Sequence, residues 1–137
     1  MPARRWIVLG LLLLCLGATG CGRGGDRAQA TRVAERFFSA VGSGDGATAC
    51  AQLSADTRKA LEEEEGKPCR EAIGGLSIDA GSPAKVALYL TNAKADLDNG
   101  ESAFLSQTAD GWRLSAVGCK PGDGPPTDAP MDCELEA

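Results

Sequence analysis

Cysteines at 15, 21, 50, 69, 119 and 133 constrain this 137-residue chain more than anything else in it, because their pairing decides which parts are stapled together. Pairing needs an oxidising compartment, and the first residues supply a route to one. Arg4 and Arg5 precede an apolar run from Trp6 to Leu16, built around Leu11-Leu12-Leu13-Leu14. The run is 11 residues long, against about 20 for a helix that spans a bilayer. A basic start followed by a short apolar stretch predicts an export signal rather than a membrane span.

The signal closes on Ala18-Thr19-Gly20-Cys21. This resembles the lipobox of bacterial lipoproteins, where small residues precede a cysteine that is diacylated and becomes the N-terminus. The resemblance implies a signal peptide over residues 1–20, palmitate-type lipidation at Cys21, and anchoring on the outer face of the cytoplasmic membrane. Ala18 departs from the family, which more often carries Leu or Val there. Ala18-x-Gly20 also suits an ordinary signal peptidase, which would give a secreted chain. Parity bears on the choice. Once Cys15 leaves with the signal, five cysteines remain, and an odd thiol is a liability under oxidising conditions. A thioether at Cys21 leaves Cys50, Cys69, Cys119 and Cys133. Of the three connectivities that four cysteines allow, Cys50–Cys69 with Cys119–Cys133 is preferred, because each pair closes a modest loop beside a well-defined element. Each bridge contributes about 3 kcal/mol on chain-entropy reasoning. No C-x-x-C occurs, and structural bridges are expected rather than a metal site or a redox pair.

Beyond residue 20 the chain has 117 residues, one domain's worth, with 12 basic against 19 acidic side chains and a net charge of −7. That balance argues against nucleic acid and against electrostatic docking on anionic lipid. The expected hold on the membrane is the acyl chains, at roughly 0.8 kcal/mol per buried methylene.

Residues 21–27, "CGRGGDR", read as a flexible tether. The domain proper is expected over 28–137, its tail pinned by the second bridge. Ala30, Val33, Ala34, Phe37, Phe38 and Val41 recur at helical spacing, and "GSGDG" stops that helix. Asp45 caps a short helix over Ala47 to Leu53, and Ser54 caps a third, "ADTRKALEEEE", which Gly66 ends. Pro68 opens a further segment, "PCREAI". The second half alternates. Val86, Leu88 and Leu90 are expected on one strand face, with Lys85, Ala87 and Tyr89 on the other. Strands over Lys94–Asp98, Ser102–Gln107 and Trp112–Gly118 follow, linked by short turns including Asn99-Gly100. "KPGDGPPTDAPMD" is a loop. The order implies an α+β fold, with N-terminal helices packed on a curved antiparallel sheet of about four strands.

The segments "RVAERFFSAVGSGDGATAC", "GWRLSAVGCKP" and "MDCELE" resemble small actinobacterial lipoproteins of the NTF2-like, cone-shaped superfamily. That resemblance implies a long first helix across the sheet and a pocket between them. Relatives on that fold include isomerases, dehydratases, transport adaptors and non-enzymatic modules, so the fold alone selects no activity. Phe37, Phe38, Tyr89 and Trp112 are the candidates to line such a pocket, for a small apolar ligand.

The absence of histidine excludes Ser-His-Asp and Cys-His machinery and histidine general bases. An isomerase or dehydratase here would need a buried carboxylate and an oxyanion donor. Asp96 and Tyr89, the chain's one tyrosine, are the only pair to consider. Glu62 to Glu65 lie about 100° apart in succession on a helix, so they spread instead of converging on a cation. "DLDNG" at 96–100 is a hairpin rather than a calcium loop, since Gln107 stands where the bidentate glutamate belongs. No metal, cofactor or catalytic residue is expected. The leading expectation is a non-catalytic module that binds an apolar ligand or another envelope protein. The alternatives are a carboxylate-dependent enzyme and a purely structural envelope protein with an apolar patch on its sheet.

Overall fold

The computed structural model describes residues 22–122 and 131–137. The signal peptide, Cys21 and most of the proline-rich loop lie outside the described residues. Helix α1 runs Arg23–Ser43, which corrects the expected tether, because residues 23–27 are helical. The cause is at the other end of the sequence. Asp26, in the first turn where the helix dipole favours a negative charge, accepts a hydrogen bond from Trp112 Nε1 at 3.4 Å. A tertiary partner thus holds a glycine-rich turn that propensity alone would leave open. The helix buries Ala30, Ala34, Phe37, Phe38 and Ala40, and ends at Gly44, whose φ of 73° suits glycine.

Helix α2 (Gly46–Gln52) is capped by the Asp45 carboxylate, which accepts from Thr48 N. Helix α3 (Ala55–Glu65) is capped by Ser54, which accepts from Thr57 N. Helix α4 (Cys69–Ala72) runs into a 3₁₀ turn, Ile73–Gly75. The Cys50–Cys69 bridge ties α2 to α4.

The sheet is antiparallel and holds five strands in sequence order: β1 (Pro83–Tyr89), β2 (Asn92–Leu97), β3 (Ser102–Thr108), β4 (Gly111–Cys119) and β5 (Leu135–Glu136). The fifth strand corrects the expected four. Its two residues pair with Ala116 and Val117, too short a run to show as alternation. Its position is fixed by the Cys119–Cys133 bridge and by backbone hydrogen bonds between Lys120 and Asp132. Both bridges fit an oxidising, extracytoplasmic environment. Register shifts between β1 and β2 and between β3 and β4 mark bulges, the extra residues lying on β1 and β4, and a bulge bends its strand and deepens its twist.

Helix α1 packs on β1, β2 and β4. Beneath it Ala93, Ala95, Leu97, Ala103, Leu105 and Leu114 are buried. The far edge of β4 is covered by β5 and by the start of α3, where Ser54 N donates to Leu114 O at 2.8 Å and Thr57 Oγ1 to Ser115 O at 3.1 Å. Edge strand β1 carries Pro83 and Lys85, residue types that discourage strand addition. Among the described residues no helix is long and apolar enough to cross a membrane.

Leu90 is not on the β1 face where alternation puts it. It occupies the two-residue turn between β1 and β2, at φ 55° and 89% exposed. A branched side chain at positive φ is strained, and here burial offsets none of that strain. Leu90→Gly is therefore expected to raise the unfolding free energy by about 0.5–1 kcal/mol, the relief exceeding glycine's entropic cost. Urea titration of both proteins checks it.

Candidate functional site

The interior under α1 is filled. Phe37, Phe38 and Trp112 are 0%, 1% and 2% exposed, and the two phenylalanine rings meet edge to face at 5.0 Å. Tyr89, by contrast, is 60% exposed at the end of β1. The four residues expected around one pocket are therefore not brought together. Three form core and the fourth faces solvent.

Open space lies instead at the C-terminal end of α1, in two grooves. One, of about 200 Å³, is lined by Ala40, Val41, Ala49, Ile73, Leu76 and Ile78, with Gly44, Gly46 and Gly74 at its walls. The other, of about 420 Å³, runs between Phe38, Ser39 and Gly42 on one side and Ala80 to Pro83 on the other. Small residues make both. Glycine and alanine line the end of α1, the start of α2 and the segment before β1. A third, shallower groove of about 150 Å³ lies near the opposite end of α1, between Gln29, Arg32 and Arg36 and the residues Asp110 to Arg113.

The Tyr89–Asp96 pair does not assemble. Tyr89 stands opposite Asn92, whereas Asp96 stands opposite Lys85. Four residues along a strand separate them by about 13 Å. Asp96 also points away from base chemistry. Lys94 Nζ at 2.8 Å and the Ser102 hydroxyl at 2.9 Å hold its carboxyl below the usual range, against a lesser opposing effect of burial. The outer sheet face is mostly polar, bearing Lys85, Asn92, Lys94, Asp96 and Ser106 around a half-buried Phe104. Ala87 and the exposed Tyr89 share that face, opposite Lys94 and Asn92.

Two carboxylates have roles that the sequence did not reveal. Glu62, in the acidic run, accepts from Cys69 N at 2.9 Å and caps α4 beside the first disulfide. Glu101 is 4% exposed, and Lys120 Nζ lies 3.1 Å from its Oε1. That ammonium sits at ion-pair distance but off the hydrogen-bonding direction, and Oε2 has no partner among the described residues. The Glu101 carboxylate holds the Lys120 ammonium above its usual range, with Asp79 and Glu134 adding to the effect. A deep glutamate after Asn99-Gly100 carries no sequence signal, because its burial comes from long-range packing.

Asp45 is likewise held low, first by the Thr48 hydroxyl at 2.6 Å and then by the Thr48 amide. Both Asp45 and Asp96 bind protons less readily when folded than when unfolded. Their stabilisation is complete above the ordinary carboxylate value of 3.8 and disappears as pH falls through their lower folded values. The expected result is an acid limb in the stability profile below about pH 4, shallower in the Asp45→Ala, Asp96→Ala double variant. Urea midpoints measured through that range give the readout.

No protein-family model, curated protein or solved structure matches the chain. Among the described residues no group of three or more histidines, cysteines or carboxylates is placed to hold a metal ion.

Proposed function

We propose that this chain is a lipid-anchored extracytoplasmic binding module on an NTF2-like frame. It does its work without catalysis, by receiving an apolar segment of another envelope protein in the grooves at the C-terminal end of α1. The observation that carries the reading is the contrast between a filled interior and those open grooves. Phe37, Phe38 and Trp112 occupy the space an enclosed ligand would need. The grooves are lined by Phe38, Ile73, Leu76 and Ile78 together with Glu35 and Arg70. The long first helix crossing a bulged antiparallel sheet supports the NTF2-like frame. Export and anchoring rest on the signal and lipobox pattern, and the two disulfides agree with that compartment.

Position 74 gives the test. A Cβ built on Gly74, which lines the first groove, meets nothing within 4 Å, so a side chain is added beside the groove without disturbing the fold. A photoreactive residue at 74, used in living cells, is expected to yield one discrete adduct with an envelope polypeptide. A photoreactive residue at exposed Glu64 on α3, which lines neither groove, should not yield it. Absence of any adduct from both position 74 and position 41 would overturn the reading. Retention of a small apolar molecule by the intact protein in native mass spectrometry would replace the protein partner with a ligand.

A further inference from the structure

The exposed apolar residues and the start of α1 lie at the same end of the domain. Tyr89 pairs with Asn92, Asn92 with Ser106, and Ser106 with Arg113, so the β1–β2 and β3–β4 turns sit side by side. Gln107 N donates to Thr91 O at 2.8 Å between them. Trp112, just after the second turn, bonds Asp26 in the first turn of α1. Cys21 is one residue before Gly22, about 3.8 Å along the chain. Whatever holds Cys21 therefore holds this end of the sheet near it.

Charge is unevenly spread along the same axis, with the carboxylates Asp26 and Asp110 near the basic end. Arg23, Arg27 and Arg32 stand exposed along the N-terminal half of α1, Arg36 just past its middle, and Arg113 lies on the neighbouring β4. Among the described residues none of these five forms an ion pair. Asp79, Asp98, Glu101, Asp132 and Glu134 gather at the opposite end, around Lys120. The net charge of the chain does not reveal this local excess of arginine.

We infer that the β1–β2 tip is a second membrane contact, with Tyr89 and Leu90 seated in the lipid interface and the flanking arginines on anionic headgroups. The inference rests on the anchoring of Cys21 in the proposed function. Tyrosine suits the boundary between headgroup and acyl chain, and guanidinium pairs with phosphate oxygens in a fork. Leu90 has no folding role that repays its strained, solvent-facing position, and a lipid surface supplies the missing burial. With α1 about 31 Å long over its 21 residues, the two grooves at its far end then face away from the bilayer, toward other proteins.

The experiment uses a synthetic anchor, so it stands whether or not cells acylate Cys21. The chain from Cys21 onward contains every described element, and with both disulfides formed Cys21 is its one free thiol. It is coupled there to a maleimide lipid and inserted in vesicles of phosphatidylcholine and phosphatidylglycerol. Leu90→Trp, read by quenching from brominated acyl chains, should lose at least half its added fluorescence, whereas Asn99→Trp at the opposite end should lose none. Near-ultraviolet circular dichroism confirms that both variants are folded. Arg32→Glu with Arg113→Glu should lower partition of the uncoupled chain onto phosphatidylglycerol vesicles by about tenfold or more. An unquenched tip, or equal quenching at both ends, overturns the proposal. So does a tip shielded in native membranes but not in these vesicles, because a protein would then cover it. Acylation of Cys21 in cells is read separately by mass, so failure of the anchor and failure of the tip contact give different results.

Discussion

Replacing Phe37 with alanine is expected to lower the unfolding free energy by about 3–5 kcal/mol. The side chain is 0% exposed, on the face of α1 that covers the sheet, and its ring stands edge-on to Phe38. Removing it deletes the transfer energy of a phenyl ring and leaves a cavity that Trp112, Leu105 and Leu114, all core residues, cannot easily refill. A domain of this size has about 5–15 kcal/mol of stability to lose. The number also bears on function. If the space beneath α1 were an open ligand cone, the ring would contact little and its loss would cost under about 1 kcal/mol. Urea titrations with matched m-values decide between a filled interior and an open one.

Gly46→Ala is the second large effect. A Cβ at position 46 would lie 2.1 Å from the backbone oxygen of Arg70, far inside van der Waals contact. That oxygen belongs to α4, which Cys50–Cys69 holds against α2, so neither helix can retreat. The expected cost is about 3 kcal/mol, at the upper end for overpacking, because the obstacle is backbone. Gly74→Ala is the control. It lines the same groove with open space around its Cα and should change stability by less than about 0.5 kcal/mol. If both substitutions were equally mild, the close approach of α2 to α4 would be wrong, and with it the shape of the groove.

The periodic elements were legible from the sequence for physical reasons. The α1 stripe at Ala30, Ala34, Phe37 and Phe38 repeats at 3.6 residues and is buried as that period requires. Asp45 and Ser54 cap the helices they precede. The bridges Cys50–Cys69 and Cys119–Cys133 close the loops that lay nearest. What escaped was non-local. The first turn of α1 depends on Trp112, 86 residues away. The strand β5 depends on a disulfide and on pairing across the loop. Leu90 fitted the alternation of β1 but fell in the turn, because Tyr89 closes the ladder against Asn92.

The candidate site was less legible still. Large apolar residues stand out in a sequence, so Phe37, Phe38 and Trp112 drew attention as pocket walls. They became core. The grooves are made by glycine and alanine, whose contribution is the absence of a side chain, and no pattern of spacing announces that. The arginines of α1 look like an ordinary solvated helix face until the fold sets Arg113 beside Arg32 and Arg36.

The measurement that tests the account most directly is the intact mass of the protein extracted from its own membranes after thiol alkylation. The account predicts a chain that begins at Cys21, carries acyl mass and takes up no alkylating reagent, with both disulfides closed. An alkylated Cys21, or a chain retaining residues 1–20, would contradict it and remove the anchor from which the membrane orientation and the outward-facing grooves both follow.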